Sequence, residues 1–342
     1  MSTVTRKLQL TGGSTIIVSL PKKWVSSLGM RPGDEVTLVL NRDGTITVMP
    51  KTLHRTNEKP EAVIRVTRDM SPEVAVREFI GYYLVGYDVI RVEFGNDTEM
   101  HRSQIKEAIR DKLIGVEVME ESEVHLVARC LITYTEFSLN DALNRMRAVT
   151  SLMLRDAVKA LISYNIDLAE DVCRRDNDVD RLYLFIVRQL KTLIRQPHTL
   201  SDLGLRTVRD CLGYRLVAKT VERIADHAMR IAEVSKSTRL PKDEDLFWRI
   251  EKARDLAIDL FNESLSAFIK LDKQLAHEVI ERSKEMSFLE EEILENLLKH
   301  TELDAKDVAN LRLAFESLRR SAEYSADIAE IAINMAILEP VL

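Results

Sequence analysis

The segment VERIADHAMRIAE, residues 221–233, combines a helical pattern with carboxylates along one stripe. Glu222 and Asp226 are four residues apart, and Glu233 follows seven residues later. Like charges at a spacing of four destabilise a helix by about 0.2–0.5 kcal/mol per pair. The stripe therefore predicts either neutralisation by the neighbouring arginines or binding of a cation.

A second pair of the same spacing, Asp176 and Asp180, lies in DNDVD. If the two helices are antiparallel neighbours, the carboxylates of Asp176, Asp180, Glu222 and Asp226 meet, and their mutual repulsion calls for a cation. Oxygen-only ligands predict a hard or intermediate divalent or trivalent metal, with Mg, Mn, Ca, Fe or Zn as candidates. His227 points about 100° away from Asp226 and is not expected to be a ligand.

The alternative is a solvated helix face held by ion pairs. Asp226 has Arg223 three residues before it and Arg230 four residues after it, which is enough for salt bridges without metal.

An internal repeat places these pairs in a larger pattern. Residues 153–162 and 168–175 align with 260–269 and 275–282, and residues 221–233 align with 318–330. The change of offset falls where the first copy has the additional segment RQPHTLSDLG. Two copies of three helices each, over 138–236 and 243–342, are the simplest interpretation.

The second copy differs at the candidate site. Arg319 stands at the position of Glu222, and serines 283 and 287 stand at those of Asp176 and Asp180. Copy two keeps Glu323, Asp327 and Glu330 in a different register, and Arg319 could pair with a carboxylate. A metal is therefore expected in copy one only.

The first 51 residues predict strands and one short helix. TIIVSL is a β-branched run, PKKWVSSLG starts with Pro and ends with Gly, and VTLVL and ITVMP form a hairpin with Asp43-Gly44 at its corner. So small a unit cannot bury its own apolar faces well, which predicts oligomerisation.

A polar linker, residues 51–61, precedes a second pattern of alternating strands and helices. Strands are expected in AVIRVT, YDVIRVEF, VEVMEE and EVHLVARCLI, and helices in between, the first with Ser71 as its N-cap. We interpret residues 60–136 as a small α/β domain and assign it no chemistry.

The repeated helical unit resembles the PhoU family of phosphate-uptake regulators, through VERIADHAMRIAE and DNDVD. The resemblance covers about 200 residues. It implies two three-helix bundles, a role in phosphate homeostasis and metal on the carboxylates of copy one.

The N-terminal segment resembles the AbrB/SpoVT family, through TIIVSLPKKWVSSLGMRPGDEVTLVL and NRDGTITVMP. The resemblance implies a swapped-hairpin barrel made by two chains that binds duplex DNA. The candidate DNA-binding residues are Arg6, Lys7, Lys22, Lys23 and Arg31. A barrel that only dimerises, with solvated lysines, is the alternative.

The charge is distributed unevenly along the chain. Residues 1–57 hold eight Lys and Arg against three Asp and Glu, a net of +5, so the remainder carries −11 of the total of −6. A basic N-terminal segment followed by an acidic remainder predicts two different kinds of partner. Three scattered cysteines, no apolar run of membrane-spanning length and no export signal predict a cytoplasmic protein without membrane insertion.

The expected architecture is thus multidomain: a small N-terminal β barrel (1–51), a middle α/β domain (60–136) and an all-α pair of three-helix bundles. The first functional hypothesis is a homodimeric, DNA-binding regulator of phosphate uptake with a helical sensing module. The second is an adaptor that docks on a phosphate transporter subunit or a sensor kinase. A di-iron enzyme is not expected, since none of the seven histidines has a Glu three residues before it.

Overall fold

The computed structural model describes residues 3–40, 44–51, 61–132, 137–195, 200 and 204–337. The chain divides into two compact units, residues 1–58 and residues 59–338. The α/β domain and both helical bundles therefore lie together in the second unit. The predicted linker and most of the segment RQPHTLSDLG fall outside the described residues.

The N-terminal unit consists of two antiparallel hairpins and a short helix. Its elements are β1 (Gln9–Thr11), β2 (Thr15–Ile17), α1 (Lys22–Ser27), β3 (Val36–Leu40) and β4 (Ile46–Pro50). β1 pairs with β2, and β3 pairs with β4. Gly44 has a φ of 77°, as a tight β3–β4 corner requires, while Asp43 of the predicted corner is not described.

Apolar side chains of this unit are exposed to an unusual degree. Leu38 is 65% exposed, and Leu40 and Ile46, which face each other across the β3–β4 pair, are 76% and 65% exposed. No residue of α1 is buried, and every described position of the four strands is exposed or only partly buried. The single chain does not provide the core that its own sequence pattern demands.

The α/β domain is a four-stranded sheet with two helices. Its elements are β5 (Glu61–Val66), α2 (Pro72–Val85), β6 (Val89–Phe94), α3 (Glu99–Lys112), β7 (Val116–Glu121) and β8 (His125–Cys130). The strand order is β5-β6-β8-β7, with β5 parallel to β6 and β8 antiparallel to both of its neighbours. Alternate residues of β5 are buried and exposed, so one face of the sheet carries the domain core.

The remaining helices form the repeated bundles. They are α4 (Leu139–Ser163), α5 (Ile166–Arg195), α6 (Asp210–Ser235), α7 (Glu244–Lys270), α8 (Lys273–Ser283), α9 (Glu285–Leu297) and α10 (Ala305–Ala336). Side-chain caps start several of them: the Ser138 hydroxyl accepts from the amide of Asp141 at 3.1 Å, and Asp243 and Asp304 cap α7 and α10. One continuous apolar core joins the two copies, with α6 and α10 packed against each other.

The second copy departs from three uninterrupted helices. Its middle helix is divided into α8 and α9 by a turn at Lys284. The Ser283 hydroxyl donates to the carbonyl of Ile280 at 2.8 Å, and a serine that bonds to the backbone in this way competes with the helical pattern. Across the described residues, none of the helices is both long and apolar enough to span a bilayer.

Candidate functional sites

The carboxylates of copy one lie on two adjacent helices, α5 and α6. Asp180 interacts electrostatically with Glu222, and Asp176 with Asp226 and Glu233, so residue numbers that rise along α5 match numbers that fall along α6. Tyr183, further along α5, contacts Arg215 and Lys219, which precede Glu222 on α6. The two helices are therefore antiparallel, and the two predicted pairs face one another.

Burial and mutual repulsion raise the pKa values of carboxyl groups in this cluster. Burial, followed by the charges of Asp180 and Asp226, raises the pKa of Asp176 to about 7. Burial and the charge of Glu222 raise the pKa of Asp226 to about 6, and the same two causes raise that of Asp180. Asp176 Oδ1 is buried and has no hydrogen-bond partner among the described residues.

One lysine partly neutralises the cluster. Lys219 Nζ donates to both oxygens of Glu222, which is 9% exposed, and the ammonium also lies 5.3 Å from the centre of the Tyr183 ring. Lys219 and Lys112, the last residue of α3, lower the pKa of Asp180 against the effect of burial. Sequence reasoning missed Lys219, although its position three residues before Glu222 signals an ion pair.

The four side chains share a site without forming a coordination shell. Within the described ranges, no three His, Cys, Asp or Glu side chains converge closely enough to hold a metal. Lys219 also competes for this site, since its ammonium donates to both oxygens of Glu222. The donor set itself, carboxylates only and with one buried oxygen unsatisfied, is the chemistry that a hard cation requires.

The flanking residues of α6 face the second bundle. Arg223 lies 5.8 Å from the centre of the Tyr324 ring on α10, and the His227 ring is 5.6 Å from the same ring. Burial and the nearby charges of Arg230 and Arg320 lower the pKa of His227 to about 4. His227 therefore belongs to the interface between the bundles, on a different face from the carboxylates.

In copy two, a guanidinium stands at the position of Glu222. Arg319 Nε lies 2.7 Å from Glu290 Oε2, and the same side chain also pairs with Glu316 and Glu323. The charges are reversed relative to copy one, where Lys219 and Glu222 hold the positions of Glu316 and Arg319. This arrangement is the metal-free pairing that the sequence offers for copy two.

The five candidate DNA-binding cations are all exposed in the N-terminal unit. Arg6 and Lys7 precede β1, and Lys22 and Lys23 form the first turn of α1. Arg31 follows α1, and its backbone amide donates to Asp34 Oδ2 at 2.7 Å. No described residue of the unit buries these charges, so their side chains are accessible to a polyanion.

A bundle repeat with a partly buried carboxylate cluster, on one chain with a small basic β unit, defines a protein of the two-bundle class. The PhoU domain model matches residues 143–235 and 250–332, about half of the chain. The chain belongs to the PhoU family. A second model, "Antidote-toxin recognition MazE, bacterial antitoxin", matches residues 9–55, in agreement with the AbrB-like character of the N-terminal unit.

Several relatives have a common description, "Phosphate-specific transport system accessory protein PhoU homolog". The one from Clostridium acetobutylicum is 24% identical over 202 residues, which is 58% of this chain and 90% of the relative. The one from Aquifex aeolicus is 26% identical over 168 residues, or 48% and 72% of the two chains. The crystal structure of PhoU from Pseudomonas aeruginosa superimposes with a TM-score of 0.48 at 20% identity, covering 58% of this chain and 94% of that one.

Proposed function

We propose that this protein is a cytoplasmic, dimeric, DNA-binding regulator of phosphate uptake. In this proposal, the PhoU-type bundles bind an effector or a partner, and the N-terminal unit binds duplex DNA. The observation that carries the proposal is the joining of a net-positive unit with five exposed cations to a helical unit of opposite net charge. The match to an antitoxin-type domain and the relatives named for phosphate transport support the two halves separately.

Thermodynamic linkage would couple the halves. A ligand that binds one conformation of the bundles more tightly shifts the population of the whole dimer by its differential affinity. The affinity of the N-terminal unit for DNA then changes by the same factor. No chemical reaction is required, in keeping with the description of the relatives as accessory proteins.

The DNA half is tested by titrating the protein against duplex DNA from upstream of its own gene and of neighbouring transport genes. The logarithm of the association constant falls with that of the salt concentration by about 0.9 per phosphate contact. We expect site-selective binding with a steep salt dependence, and a clearly flatter dependence for Lys22→Ala/Lys23→Ala.

Lys51→Ala is the matched control for that experiment. Lys51 is an exposed cation of the same unit, but its ammonium is 2.5 Å from Glu35 Oε2 and is already neutralised. Its removal should leave the salt dependence nearly unchanged. Weak binding that ignores both DNA sequence and the lysine pair would contradict the DNA-binding half of the proposal.

The carboxylate cluster of copy one is proposed to hold a divalent or trivalent cation. Asp176, Asp180, Glu222 and Asp226 would provide the oxygen ligands, and Lys219 would have to leave Glu222. A cation would relieve the repulsion that raises the pKa of Asp176 and Asp226. Its contribution would be electrostatic, fixing α5 and α6 against each other.

Titration of the metal-free protein with Mn²⁺ tests this site. We expect Mn²⁺ to raise the melting temperature, and the rise to disappear in Asp226→Asn but to persist in Asp178→Asn, an exposed carboxylate of α5 outside the cluster. An equal response in both variants would argue against metal at this position.

An adaptor is the second candidate function, and the description of the relatives as accessory proteins of a transport system favours it. The bundles would then dock on a phosphate transporter subunit or a sensor kinase, and the N-terminal unit would only join two chains. DNA affinity distinguishes the two, because the adaptor requires none. The match to an antidote-toxin recognition domain also makes a protein a candidate partner for the N-terminal unit.

A further inference from the structure

The two edges of the α/β sheet differ in chemistry. β5 forms one edge and β7 the other in the order β5-β6-β8-β7. Exposed edge strands present unpaired backbone groups, and proteins usually protect them with charge, bulges or cover. The comparison of the two edges decides which one is available for pairing.

β7 is protected by a bulge and by charge. Its register against β8 is interrupted between Val118 and Glu120, and it carries three glutamates, at positions 117, 120 and 121. Two copies of such a strand would bring like charges together. Within the described residues, β5 has no bulge and no run of like charges: it is six residues long, regular in its register with β6, and contains one Glu, one Arg and an exposed Val63.

The pairing of β5 with β6 also determines which backbone N–H and C=O groups of β5 face away from the sheet. The carbonyl of Val66 accepts from the amide of Gly95, just beyond β6, so Val66 faces β6. In a parallel pair, alternate residues direct both backbone groups to the same side. Ile64 and Ala62 therefore face β6 with Val66, whereas the N–H and C=O of Glu61, Val63 and Arg65 face outward.

We propose that the outer edge of β5 pairs antiparallel with β5 of a second copy of this chain, about a two-fold axis at Val63. In that register, Val63 lies opposite its own symmetry mate, and Glu61 lies opposite Arg65 of the second copy. All three are the residues whose backbone groups face outward, which gives roughly six inter-chain hydrogen bonds, two for each facing pair.

The side chains fit the same register. Glu61, Val63 and Arg65 all lie on the solvent-facing side of the sheet, since β5 alternates between exposed and buried positions. Pairing places opposite charges across the axis on both sides of a valine pair, and closed two-fold interfaces require this self-complementarity. Within the chain, Glu61 and Arg65 already pair with Arg91 and Glu93, so the ion pairs would extend into a row across both sheets.

Pairing through β5 is independent of DNA and metal binding. Edge-strand pairing alone buries little surface and would act together with other contacts between two chains. Because the N-terminal unit is proposed to join two chains, dimer formation alone is no test. The measurement must instead show which residues meet.

Disulfide trapping in the full-length protein provides that test. The variant Val63→Cys places two cysteines opposite each other with Cα atoms about 5.5 Å apart, within the range for a disulfide. Met119→Cys is the matched control, because Met119 is similarly exposed, at 52% against 44% for Val63, but lies on β7. Both variants carry Cys173→Ser, since Cys173 is the partly exposed native thiol.

We expect Val63→Cys to form covalent dimer at least about tenfold faster than Met119→Cys under mild oxidation, because only paired strands hold the thiols at high effective concentration. Equal rates would overturn the proposal. So would a monomeric product from Val63→Cys with an intact fold by circular dichroism.

Charge substitutions test the register. In the Val63→Cys background, Glu61→Arg alone places Arg opposite Arg, and Arg65→Glu alone places Glu opposite Glu. Each variant should cross-link more slowly, whereas co-expression of the two with different tags restores both opposite-charge pairs and should yield mainly mixed-chain product. Cross-linking of each variant at the parent rate would refute the register.

Discussion

Charge compensation at single residues distinguishes the two bundle copies. In copy one, Lys219 faces Glu222 beside three further carboxylates, of which Asp176 has a raised pKa of about 7. In copy two, Arg319 is bound by glutamates from α9 and from its own helix. A guanidinium is always charged and forms fixed multiple contacts, so copy two is neutralised permanently. Copy one retains an excess of carboxylates over cations at this position, and burial and mutual repulsion raise their pKa values.

Asp176→Asn should remove a pH-dependent loss of stability. The folded-state pKa of about 7 lies above the ordinary value of 3.8, so the folded protein holds a proton that the unfolded chain has lost. Stability from this group is therefore full below about pH 4 and declines as pH rises towards 7. We expect the variant to match the parent near pH 4.5 and to exceed it at pH 8 by about 1–2 kcal/mol, after allowance for solvent screening.

Urea unfolding in EDTA at the two pH values measures this difference. Asp178→Asn is the control, because Asp178 is exposed two residues away on the same helix. Its difference from the parent should not change with pH. A constant offset for Asp176→Asn would show that the carboxyl is not titrating where burial and its neighbours place it.

Between elements, one arginine joins the α/β domain to the first bundle. Arg188 of α5 is 5% exposed and donates to the carbonyls of Tyr83 and Tyr87 and to Asp88 Oδ1, at 2.5, 2.9 and 2.8 Å. Its guanidinium also lies 4.8 Å from the centre of the Tyr83 ring. The carbonyl of Tyr83 belongs to the last turn of α2 and also accepts from the amide of Gly86 at 3.1 Å, so Arg188 of α5 supplements the C-terminal cap of α2.

Arg188→Met should therefore weaken this junction. Truncation removes a donor from two carbonyls and from Asp88, although the Tyr83 carbonyl keeps the amide of Gly86, and we expect a loss of about 2–4 kcal/mol. The stability of Arg188→Lys should lie between that of the parent and that of Arg188→Met, since an ammonium cannot reproduce the planar set of contacts. Thermal melting measures the loss, and faster amide exchange around residues 83–88 would locate it.

The control for that junction is Arg174→Met, in which a 68%-exposed arginine of the same helix is removed. Its melting temperature should change little. If both variants melted alike, Arg188 would be dispensable and the α/β domain would be held by apolar contacts alone.

How far the sequence predicted these elements depends on the range of the interactions. The strands of residues 61–130 and the repeated helices follow apolar periodicity, which local pattern reveals. The facing of Asp176 and Asp226 followed from the repeat and from antiparallel packing. Arg188 could not be predicted, because its partners lie about a hundred residues earlier, and the turn at Lys284 depends on a serine that bonds its own backbone.

At the scale of the whole molecule, the two units bury their apolar residues differently. The helical bundles of the second unit share a continuous core, whereas the N-terminal unit exposes an apolar strip on one face of the β3–β4 hairpin. Leu38 faces Val48, and Leu40 faces Ile46, across the pair. An exposed strip of this kind marks an interface.

Leu38→Asp should dissociate the proposed full-length dimer. It places a charge in the middle of the apolar strip, and desolvating an unpaired carboxylate in an interface is strongly unfavourable. Thr37→Asp is the matched control: Thr37 pairs with Met49, so its side chain lies on the opposite face of the same hairpin. Sedimentation velocity should show the parent and Thr37→Asp as dimers and Leu38→Asp shifted to monomer at micromolar concentration.

The same variant separates the roles of the two proposed contacts between chains. Edge pairing through β5 is too small to hold two chains together at that concentration, so Leu38→Asp should also slow disulfide formation in Val63→Cys. DNA binding should weaken in parallel, because a monomer presents half of the phosphate contacts. A Leu38→Asp protein that remained a dimer would place the principal interface elsewhere, and the apolar strip would then need a different partner.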